Sequence, residues 1–470
     1  MTLKERIRSR KVGIVGMARS GLAAALLADK FGGKPFVSDS GPAEKLGDAI
    51  TRLTQNNIPF EVGGHTDALL ASDYLVVSPG VPLTIPILRK AAEKGIPVFS
   101  EVEFASWFCK APIIAITGAN GKTTTTTLVG AMFAAAGFDT VVCGNIGLPI
   151  TEVVSKVSES AIVVLEISSY QLETISEFRP HVAAILNITP DHLDRHGSLE
   201  AYARAKYRIA ENQRKDDFLV LNLDDAVTNP NDITTDASKV FFSTSKATSS
   251  GAYVKDGRLF YYRGGAATPV APAGPVAPAV PVVRKEEIII RGPHNLQNAA
   301  AAVAIAGLFN IDSEPLARVL RTFPGVEHRL EDAGKVAGVQ FVNDSKATNV
   351  DSVCWALRSI DTPLYLILGG RDKGSSYRPI IPFGEGKVRG IIAIGEAREK
   401  IFAELGKNFP TQFAVSLEEA VRMAFEQSHA GETVLLSPGC ASFDMFENFE
   451  HRGRVFKTAV NGLKNGTKAH

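Results

Sequence analysis

A glycine-rich stretch near the middle of the chain has the residue types of a phosphate-binding loop. Residues 117–124 are Thr-Gly-Ala-Asn-Gly-Lys-Thr-Thr, between an apolar run and a helix-compatible run. In such loops glycines let backbone N–H groups converge on phosphate oxygens, the helix dipole and Lys122 add positive charge, and the Thr123 hydroxyl can reach Mg²⁺. The spacing is G-x-x-G-K-T, because Ala115 and Ile116 stand where a Walker loop has its first glycine. The alternative is an ordinary glycine turn with a solvated lysine.

Residues that suit a metal ion follow this loop. Glu166 ends a predicted strand, Ala161–Glu166, and so lies at the carboxyl edge of a parallel sheet, where doubly wound folds bind ligands. A carboxylate there can hold Mg²⁺ directly or through water. After the next predicted strand, residues 189–196 crowd together Asp191, His192, Asp194 and His196. This crowding indicates a metal or phosphate site. The alternative for Glu166 is a salt bridge or a helix cap, and the alternative for residues 189–196 is that their side chains cap the loop and its helix.

Lys206 occupies the apolar face of a predicted helix. With Ser198 as the N-cap, one stripe at helical spacing contains Leu199, Tyr202, Ala203, Lys206, Ile209 and Ala210. The opposite side already carries the charges of Arg204, Arg208, Glu211 and Lys215. A buried lysine costs free energy unless it is paired, discharged or chemically altered. The alternative is a lysine whose end reaches solvent.

Alternating apolar runs and helical segments supply the elements that position these residues, and they predict an α/β fold with parallel sheets. The first hundred residues show this rhythm at Lys11–Val15, Gly21–Asp29, Lys34–Val37, Tyr74–Val77 and Pro97–Ser100. The second unit contains Pro112–Thr117, Lys122–Ala136, Ala161–Glu166, Val182–Asn187, Phe218–Asn222 and a hairpin over Gly251–Arg263. The third unit contains strands at Val339–Val342, Leu364–Leu368, Gly390–Ile394 and Thr433–Leu436.

The segment Gly264–Val283 repeats Ala, Pro, Val and Gly with no charged residue. Its proline density argues against regular strand pairing and predicts an extended or mobile excursion. We expect structural filler there rather than a site.

Length and composition limit the possible classes of protein. The 470 residues suggest about three domains at roughly 150 residues each. The net charge of +1 provides no overall field to recruit nucleic acid or an anionic membrane. The four cysteines are scattered without a CxxC pair, which suits a reducing compartment. With a polar N-terminus and no run of about 18 apolar residues, the chain is expected to be cytoplasmic and without membrane insertion. We also expect a monomer, although no feature of the sequence determines the oligomeric state.

Together these motifs resemble the Mur ligase family, in the order in which that family carries them. The motifs that carry this resemblance are distributed over most of the chain. They are residues 117–124, 165–173, 189–197, 205–207, 343–349, 369–374, 436–444 and 449–453. The resemblance implies three α/β domains: a Rossmann-like domain at 1–109 for a UDP-sugar, a central P-loop ATPase-type domain at 110–325, and a Rossmann-like domain at 326–470 for an amino acid.

The resemblance is strongest to the members that join D-glutamate to UDP-N-acetylmuramoyl-L-alanine. It implies that ATP phosphorylates the carboxylate of the L-alanyl substrate and that the D-glutamate amine attacks the acyl phosphate. It also implies two Mg²⁺ sites and a carbamate on Lys206, which would turn a buried ammonium into an anionic Mg²⁺ ligand. His192 is accepted as a ligand on resemblance alone, since Mg²⁺ favours oxygen.

The resemblance also assigns site residues. The catalytic residues implied are Lys122, Glu166, His192 and Lys206, and the metal ligands are Thr123, Glu166, His192 and Lys206. The ATP-binding residues implied are Gly118, Asn120, Gly121, Lys122, Thr123, Thr124, Asn295, Asn298, Arg329 and Asp344. The UDP-sugar residues are Gly16, Ser78 and Asn145, and the D-glutamate residues are Thr348, Lys373, Ser442 and Phe449. For Asn295 and Asn298 the alternative role is helix capping, and for Thr348 and Ser442 it is turn capping. Leu330 stands where relatives are expected to have an aromatic residue.

Three other functions compete with this interpretation. A folylpolyglutamate-synthase-like ligase would share the short phosphate loop but is not expected to carry both the Asp-Lys-Gly and the Ser-Phe-Asp stretches. A non-enzymatic nucleotide switch would need the loop but not Lys206 on an apolar stripe. A dehydrogenase could use residues 13–21 with Asp39 as a dinucleotide fingerprint, but Ala18 replaces its middle glycine. ATP turnover that requires both small substrates would separate these functions.

Overall fold

The structure, a computed structural model, describes residues 3–263, 278–372 and 374–467. These residues form three sheets and three α/β domains. By contacts they divide into two compact units. The first unit takes in the residues up to Glu287 together with Gln297–Arg321, and the second takes in Ile288–Leu296 and the residues from Thr322 onward. The predicted α/β fold with parallel sheets is confirmed.

The first domain is a parallel sheet in the order β3-β2-β1-β4-β5. Its strands are β1 (Lys11–Val15), β2 (Lys34–Ser38), β3 (Phe60–Glu61), β4 (Tyr74–Val77) and β5 (Val98–Ser100). Its helices are α1 (Leu3–Ile7), α2 (Arg19–Lys30), α3 (Gly47–Gln55), α4 (Pro86–Glu93) and α5 (Glu101–Ser106). The strands β1 and β4 are buried along their apolar residues, which is the pattern of a parallel sheet covered on both faces.

The second domain contains a mixed sheet in the order β14-β13-β12-β11-β10-β9-β6-β8-β7. Its strands are β6 (Ile113–Thr117), β7 (Thr140–Gly144), β8 (Ile162–Glu166), β9 (Val182–Ile185), β10 (Phe218–Asn222), β11 (Ser238–Ser243), β12 (Ala252–Lys255), β13 (Arg258–Tyr261) and β14 (Val280–Arg284). Its helices are α6 (Lys122–Ala135), α7 (Ile150–Val153), α8 (Ser169–Leu172), α9 (Leu193–His196), α10 (Leu199–Tyr207), α11 (Pro293–Leu308) and α12 (Ser313–Thr322). Strand β6 lies between β8 and β9, and all three run parallel.

The hairpin prediction is confirmed, whereas the prediction for the Ala/Pro segment is partly wrong. Strands β12 and β13 pair antiparallel across Asp256 and Gly257, both with positive φ. Strand β14, which was expected to be irregular, pairs antiparallel with β13 and places Pro281 opposite Phe260. The pairing is possible because β14 is the edge strand, where a residue without an N–H removes no central ladder bond. Residues 264–277 lie outside the described residues.

The third domain is a sheet in the order β15-β16-β20-β17-β18-β19, in which only the β15–β16 pair is antiparallel. Its strands are β15 (Glu331–Val336), β16 (Val339–Asn343), β17 (Leu364–Gly369), β18 (Val388–Ile394), β19 (Thr411–Phe413) and β20 (Thr433–Leu436). Its helices are α13 (Val350–Ser359), α14 (Ile381–Gly384), α15 (Arg398–Leu405), α16 (Leu417–Gln427) and α17 (Phe449–Thr467). The loops after β16, β17 and β20 therefore leave the same edge of the sheet.

Glu103, a buried glutamate of α5, joins the first two domains within the first compact unit. The Glu103 carboxylate accepts backbone N–H bonds from Ser176, Glu177 and Phe178, at 2.8–3.1 Å, and a bond from the Trp107 indole. Each of these donors would lose its partner if the carboxylate were removed. In the described part of the chain, no helix is long and apolar enough to cross a membrane.

Candidate active site

The predicted phosphate loop leaves the carboxyl end of β6 and leads into α6. Gly118 and Gly121 both have positive φ, at 157° and 84°. A Cβ on Gly121 would lie 2.2 Å from Oδ1 of Asn298, which also accepts a hydrogen bond from Thr125 at 3.3 Å. Glycine is thus required where the loop passes Asn298. The structure brings Asn298 to the loop from α11, far away in sequence.

Asn187 fixes the other side of the loop. Its side-chain oxygen accepts the backbone N–H of Asn120 at 2.8 Å, and its amide donates to the Asn120 carbonyl at 3.0 Å. Its own carbonyl accepts the N–H of Ala119. These bonds hold the loop against the end of β9. Asn187 was not singled out from the sequence, and its position two residues beyond a strand, beside the loop of a neighbouring strand, was the available signal.

Two lysine ammonium groups donate to carbonyls of the loop. Nζ of Lys122 donates to the carbonyls of Gly118 and Ala119, each at 2.9 Å. Nζ of Lys206 donates to the same Gly118 carbonyl at 2.9 Å and lies 3.5 Å from the Thr117 hydroxyl. The predicted burial of Lys206 is confirmed, since only 1% of it is exposed. Burial, and next the positive charge of Lys122, hold the pKa of Lys206 well below its ordinary value.

Helix α10 positions Lys206 as the stripe predicted. Ser198 caps the helix by accepting the Ala201 N–H, and Tyr202 is buried one turn before Lys206. The ammonium lies 4.4 Å from the centre of the Tyr202 ring, a cation–π distance. The alternative of a lysine that reaches solvent is excluded by this burial.

Glu166 ends β8 beside the loop, with 1% of the residue exposed. Its Oε1 accepts a hydrogen bond from Nδ2 of Asn145 at 2.8 Å. Its Oε2 is buried and has no hydrogen-bond partner among the residues that the structure describes. A buried carboxylate oxygen without a donor is costly, so this atom is suited to a cation. The structure thus brings Asn145, predicted for the UDP-sugar, into contact with Glu166.

The remaining predicted metal-site and phosphate-site residues of this domain, His192, Thr123 and Thr124, lie at the starts of helices α9 and α6. His192 precedes α9 with a φ of 54°, its ring 5.0 Å from that of Tyr170 and 6.4 Å from that of Tyr202. The adjacent Asp191 raises the pKa of Lys206, although by less than burial lowers it. Thr123 and Thr124 are both buried in the first turn of α6.

The first domain places Gly16 and Ser78 together at the carboxyl ends of β1 and β4. The Ser78 hydroxyl donates to the Gly16 carbonyl at 3.3 Å, and a Cβ on Gly16, whose φ is 96°, would lie 2.8 Å from the Ser78 side chain. Asp39, which follows β2, accepts the N–H of Met17 at 2.6 Å and of Gly41 at 2.7 Å. The Asp39 side chain therefore holds this loop by accepting hydrogen bonds from backbone N–H groups.

In the second unit, the Asp344 carboxylate lies within electrostatic range of the Arg329 guanidinium. The Asp344 carboxylate is buried and accepts bonds from the Ser437 hydroxyl at 2.8 Å and from the Leu330 N–H at 3.3 Å. Burial raises the pKa of Asp344 to about 6, although the Arg329 guanidinium opposes this rise. Nε of Arg329 is buried and has no hydrogen-bond partner within the described residues. Asn295 belongs to the same unit and donates to the Arg291 carbonyl at 2.8 Å.

Three of the four predicted D-glutamate residues are among the described residues of the third domain. Thr348 follows β16, Ser442 follows β20, and Phe449 begins α17. The carbonyl of Ser442 accepts the N–H groups of Met445 and Phe446, and that of Phe449 accepts the Ser345 hydroxyl. Lys373 lies outside the described residues.

Arg452 lies within the motif at residues 449–453, but the resemblance gave it no role. It is fully buried on α17 and contacts the loops after β16 and β20. A lone arginine in a helix gives no sign of burial, so only its place among the motifs could have drawn attention to it.

Comparison with known proteins matches each domain to one family. Residues 10–100 match the "Mur ligase MurD-like, N-terminal domain", residues 116–306 the "Mur ligase middle domain", and residues 328–440 the "Mur ligase, glutamate ligase domain". The UDP-N-acetylmuramoylalanine–D-glutamate ligase of Thermoanaerobacter sp. (strain X514) is 43% identical over 463 residues, covering 97% of this chain and 99% of that protein. The chain belongs to the Mur ligase family.

Two other ligases and a synthase are similar to this chain in sequence or structure. The enzyme of the same name from Acidobacterium capsulatum is 43% identical over 97% of this chain and 96% of its own. The UDP-N-acetylmuramate–alanine ligase of Thermotoga maritima has a TM-score of 0.60 at 18% identity, covering 97% of this chain and 100% of its own. A folylpolyglutamate synthase/dihydrofolate synthase from Yersinia pestis has a TM-score of 0.55 at 15% identity, covering 77% and 92%. These two structures show a shared fold.

Proposed function

We propose that this Mur ligase uses ATP to join D-glutamate to UDP-N-acetylmuramoyl-L-alanine, a step of peptidoglycan precursor synthesis. The substrates are those named for relatives 43% identical over nearly the whole chain. The observation that carries the chemistry is the convergence of Lys122 and the buried Lys206 on the Gly118 carbonyl, beside the unpartnered oxygen of Glu166. A nucleotide switch has no evident need for this second lysine.

In the proposed reaction, an oxygen of the L-alanyl carboxylate bonds to the γ-phosphorus of ATP, and ADP leaves. The neutral amine of D-glutamate then bonds to the acyl carbon and loses a proton to solvent, and phosphate leaves with the C–O bond electrons. The N-terminus of α6 and Lys122 stabilise the negative charge on the transferring group. Asn298 supports the loop on its opposite side.

The residues fit Mg²⁺ because Glu166 offers a buried oxygen with no donor in the described structure. Glu166, the Thr123 hydroxyl, His192 and a modified Lys206 would hold two ions. When bound, Mg²⁺ offsets the charge that collects on the phosphates. Asn145 would orient Glu166 through its bond to Oε1.

We further propose that Lys206 is carbamylated. Because its pKa is held low, the amine is available in its neutral form. The neutral nitrogen bonds to the carbon of CO₂ and releases a proton, which yields an anionic carbamate. The change replaces a buried cation by an oxygen ligand next to the phosphate loop.

The proposal also assigns the domains and the remaining site residues. Residues 1–109 would bind the UDP-sugar through Gly16, Ser78 and Asn145, residues 110–325 would bind ATP, and residues 326–470 would bind D-glutamate through Thr348, Lys373, Ser442 and Phe449. Asn295, Arg329 and Asp344 would serve the nucleotide. We expect the enzyme to act in the cytoplasm as a monomer.

A product assay tests the function. Purified protein is incubated with ATP, Mg²⁺, UDP-N-acetylmuramoyl-L-alanine and one amino acid from a panel of acidic and neutral D- and L-forms. We expect one dipeptidyl product, with D-glutamate, and equal amounts of ADP and phosphate. Efficient use of neutral amino acids, or turnover with a folate and L-glutamate instead, would contradict the proposal.

The carbamate has its own test. ¹³C-bicarbonate should give a carbamate NMR signal in the parent protein that is lost in Lys206→Ala. The variant should lose activity, with partial rescue by small carboxylates, because these can replace the missing oxygen ligand. The exposed Lys215, on the segment after α10, provides the matched control Lys215→Ala. An unmodified Lys206 in metal-loaded, bicarbonate-supplied enzyme would remove the basis for this step.

A further inference from the structure

The Arg452 side chain is fully buried, and its guanidinium bonds to neutral oxygen atoms. Nε donates to the Ser345 hydroxyl at 3.0 Å, and Nη2 donates to the Ser345 carbonyl at 2.8 Å and to the Cys440 carbonyl at 3.2 Å. Nη1 donates to the carbonyls of Cys440 and Ala441, at 3.2 and 3.4 Å. All of its N–H-bearing nitrogens are therefore engaged, as a buried guanidinium requires.

These bonds connect the loops that carry the predicted D-glutamate residues. Ser345 belongs to the β16 loop, residues 344–349, which includes Thr348, and Cys440 and Ala441 belong to the β20 loop, residues 437–444, which includes Ser442. The Ser345 hydroxyl, which accepts the Arg452 Nε–H, donates its proton to the carbonyl of Phe449 at 2.8 Å. Three of the predicted residues thus depend on one side chain.

The loop after β17 also packs closely against this group. The N–H of Arg371 donates to the Ala441 carbonyl at 2.9 Å, the same oxygen that Arg452 contacts. Gly370 has a φ of 140°, and a Cβ there would lie 2.4 Å from that carbonyl and 3.2 Å from Nη1 of Arg452. Arg452 thus fills the space under three neighbouring loops at the carboxyl edge of the third sheet.

The positive charge of Arg452 has no acidic partner at hydrogen-bonding distance among the described residues. Burial lowers the pKa of Arg452 to about 10, so the group stays protonated near neutral pH. Asp344 and Asp444 act on it only at longer range. Because its bonds go to neutral oxygens, the guanidinium keeps its positive charge at this edge, where it favours a dianion over a neutral amino acid, and Asp344 and Asp444 offset part of that charge.

We propose that Arg452 is a positioning residue for the amino-acid substrate: it holds the β16 and β20 loops in the arrangement that binds D-glutamate and supplies the positive potential that favours a dicarboxylate. The proposal rests on the proposed function for the identity of the substrate. The tie between the loops is independent of that identity.

Kinetics of Arg452→Lys and Arg452→Met test the role. Lysine keeps the positive charge but offers only one nitrogen, so it cannot reproduce the bonds that the planar guanidinium of arginine makes to both loops. We expect the KM for D-glutamate to rise on the order of ten- to a hundredfold in Arg452→Lys and further in Arg452→Met. The KM values for ATP and the UDP-sugar should change by less than about threefold. The exposed Arg454, on the same helix, gives the control Arg454→Met, which should behave like the parent.

Hydrogen exchange gives a readout that needs no turnover. In Arg452→Lys, exchange should speed up in residues 344–349 and 437–444 but not in strands β17 and β18. Equal losses for all three substrates, or unchanged exchange in both loops, would overturn the proposal. If the parent protein does not use D-glutamate, the proposed function fails, and the exchange data still decide whether Arg452 ties the loops. If Arg452→Met does not fold, Arg452→Lys carries the test.

Discussion

Replacing Gly121 by alanine should damage both the fold of the phosphate loop and its chemistry. At a φ of 84° an alanine costs roughly 1–2 kcal/mol, because its Cβ crowds the backbone in the left-handed region. The Cβ would also lie 2.2 Å from Oδ1 of Asn298, which must move and lose its bond from Thr125, worth about 1 kcal/mol. We expect Gly121→Ala to lower the free energy of unfolding by about 2–3 kcal/mol.

The opposite end of the same helix provides the matched control. Gly137 follows α6 with a φ of 89°, but a Cβ there would meet nothing within 4 Å. Gly137→Ala should therefore cost only the backbone part, about 1–2 kcal/mol. Urea denaturation of both variants measures the difference, and steady-state kinetics measure the KM for each substrate.

The two variants should differ more in kcat than in the free energy of unfolding. Gly121→Ala should lose most of kcat, because the backbone N–H groups that bind phosphate would shift together with Asn298. Gly137→Ala should keep a kcat near that of the parent protein. If the two variants had equal unfolding free energies and equal kcat, the contact between Asn298 and the loop would not matter, and our account of the site would be wrong.

Three further predictions follow from single side chains. Lys122→Ala should abolish phosphate release with little change in the unfolding midpoint, since its charge serves the phosphates rather than a core; near-normal release would refute the loop assignment. Glu103→Gln should lower the unfolding free energy by about 2–4 kcal/mol in urea denaturation, because an amide cannot accept all the N–H bonds that the carboxylate accepts; an unchanged value would contradict this. For Asp344, a folded pKa of about 6 against an ordinary value near 4 means that the folded protein binds the extra proton between these values. The unfolding free energy should therefore fall by about 2–3 kcal/mol as pH rises from 4 to 6, and this part of the fall should be absent in Asp344→Asn.

The sequence predicted the buried parallel strands well, because long apolar runs at the centre of a sheet leave little ambiguity. Strands β4, β10 and β20 have the predicted bounds. Strands β3 and β19 were missed because they are short, lie at sheet edges and contain no buried residue, so no apolar run marks them. Strand β11 was also missed, although it lies inside its sheet, because its apolar run covers only residues 240–242 between polar residues.

The sequence indicated which residues are candidates for the site but not which of them contact one another. Helical periodicity was enough to place Lys206 on a buried face, because burial on a helix follows from spacing. The bond between Asn145 and Glu166 could not be predicted, since it depends on the order of β7 and β8 in the sheet. The burial of Arg452 could not be predicted either, because three loops from different strands enclose it.

The contact between Asn298 and the phosphate loop has a consequence for the order of events during synthesis. Thr125 and Asn298, which bond to each other, are 173 residues apart. At about 5–20 residues per second, the loop leaves the ribosome roughly 10–35 s before the asparagine does. During that interval the nascent chain carries a phosphate loop whose Asn298 side is open. A chain that stops before helix α11 would therefore lack the Asn298 contacts with Gly121 and Thr125.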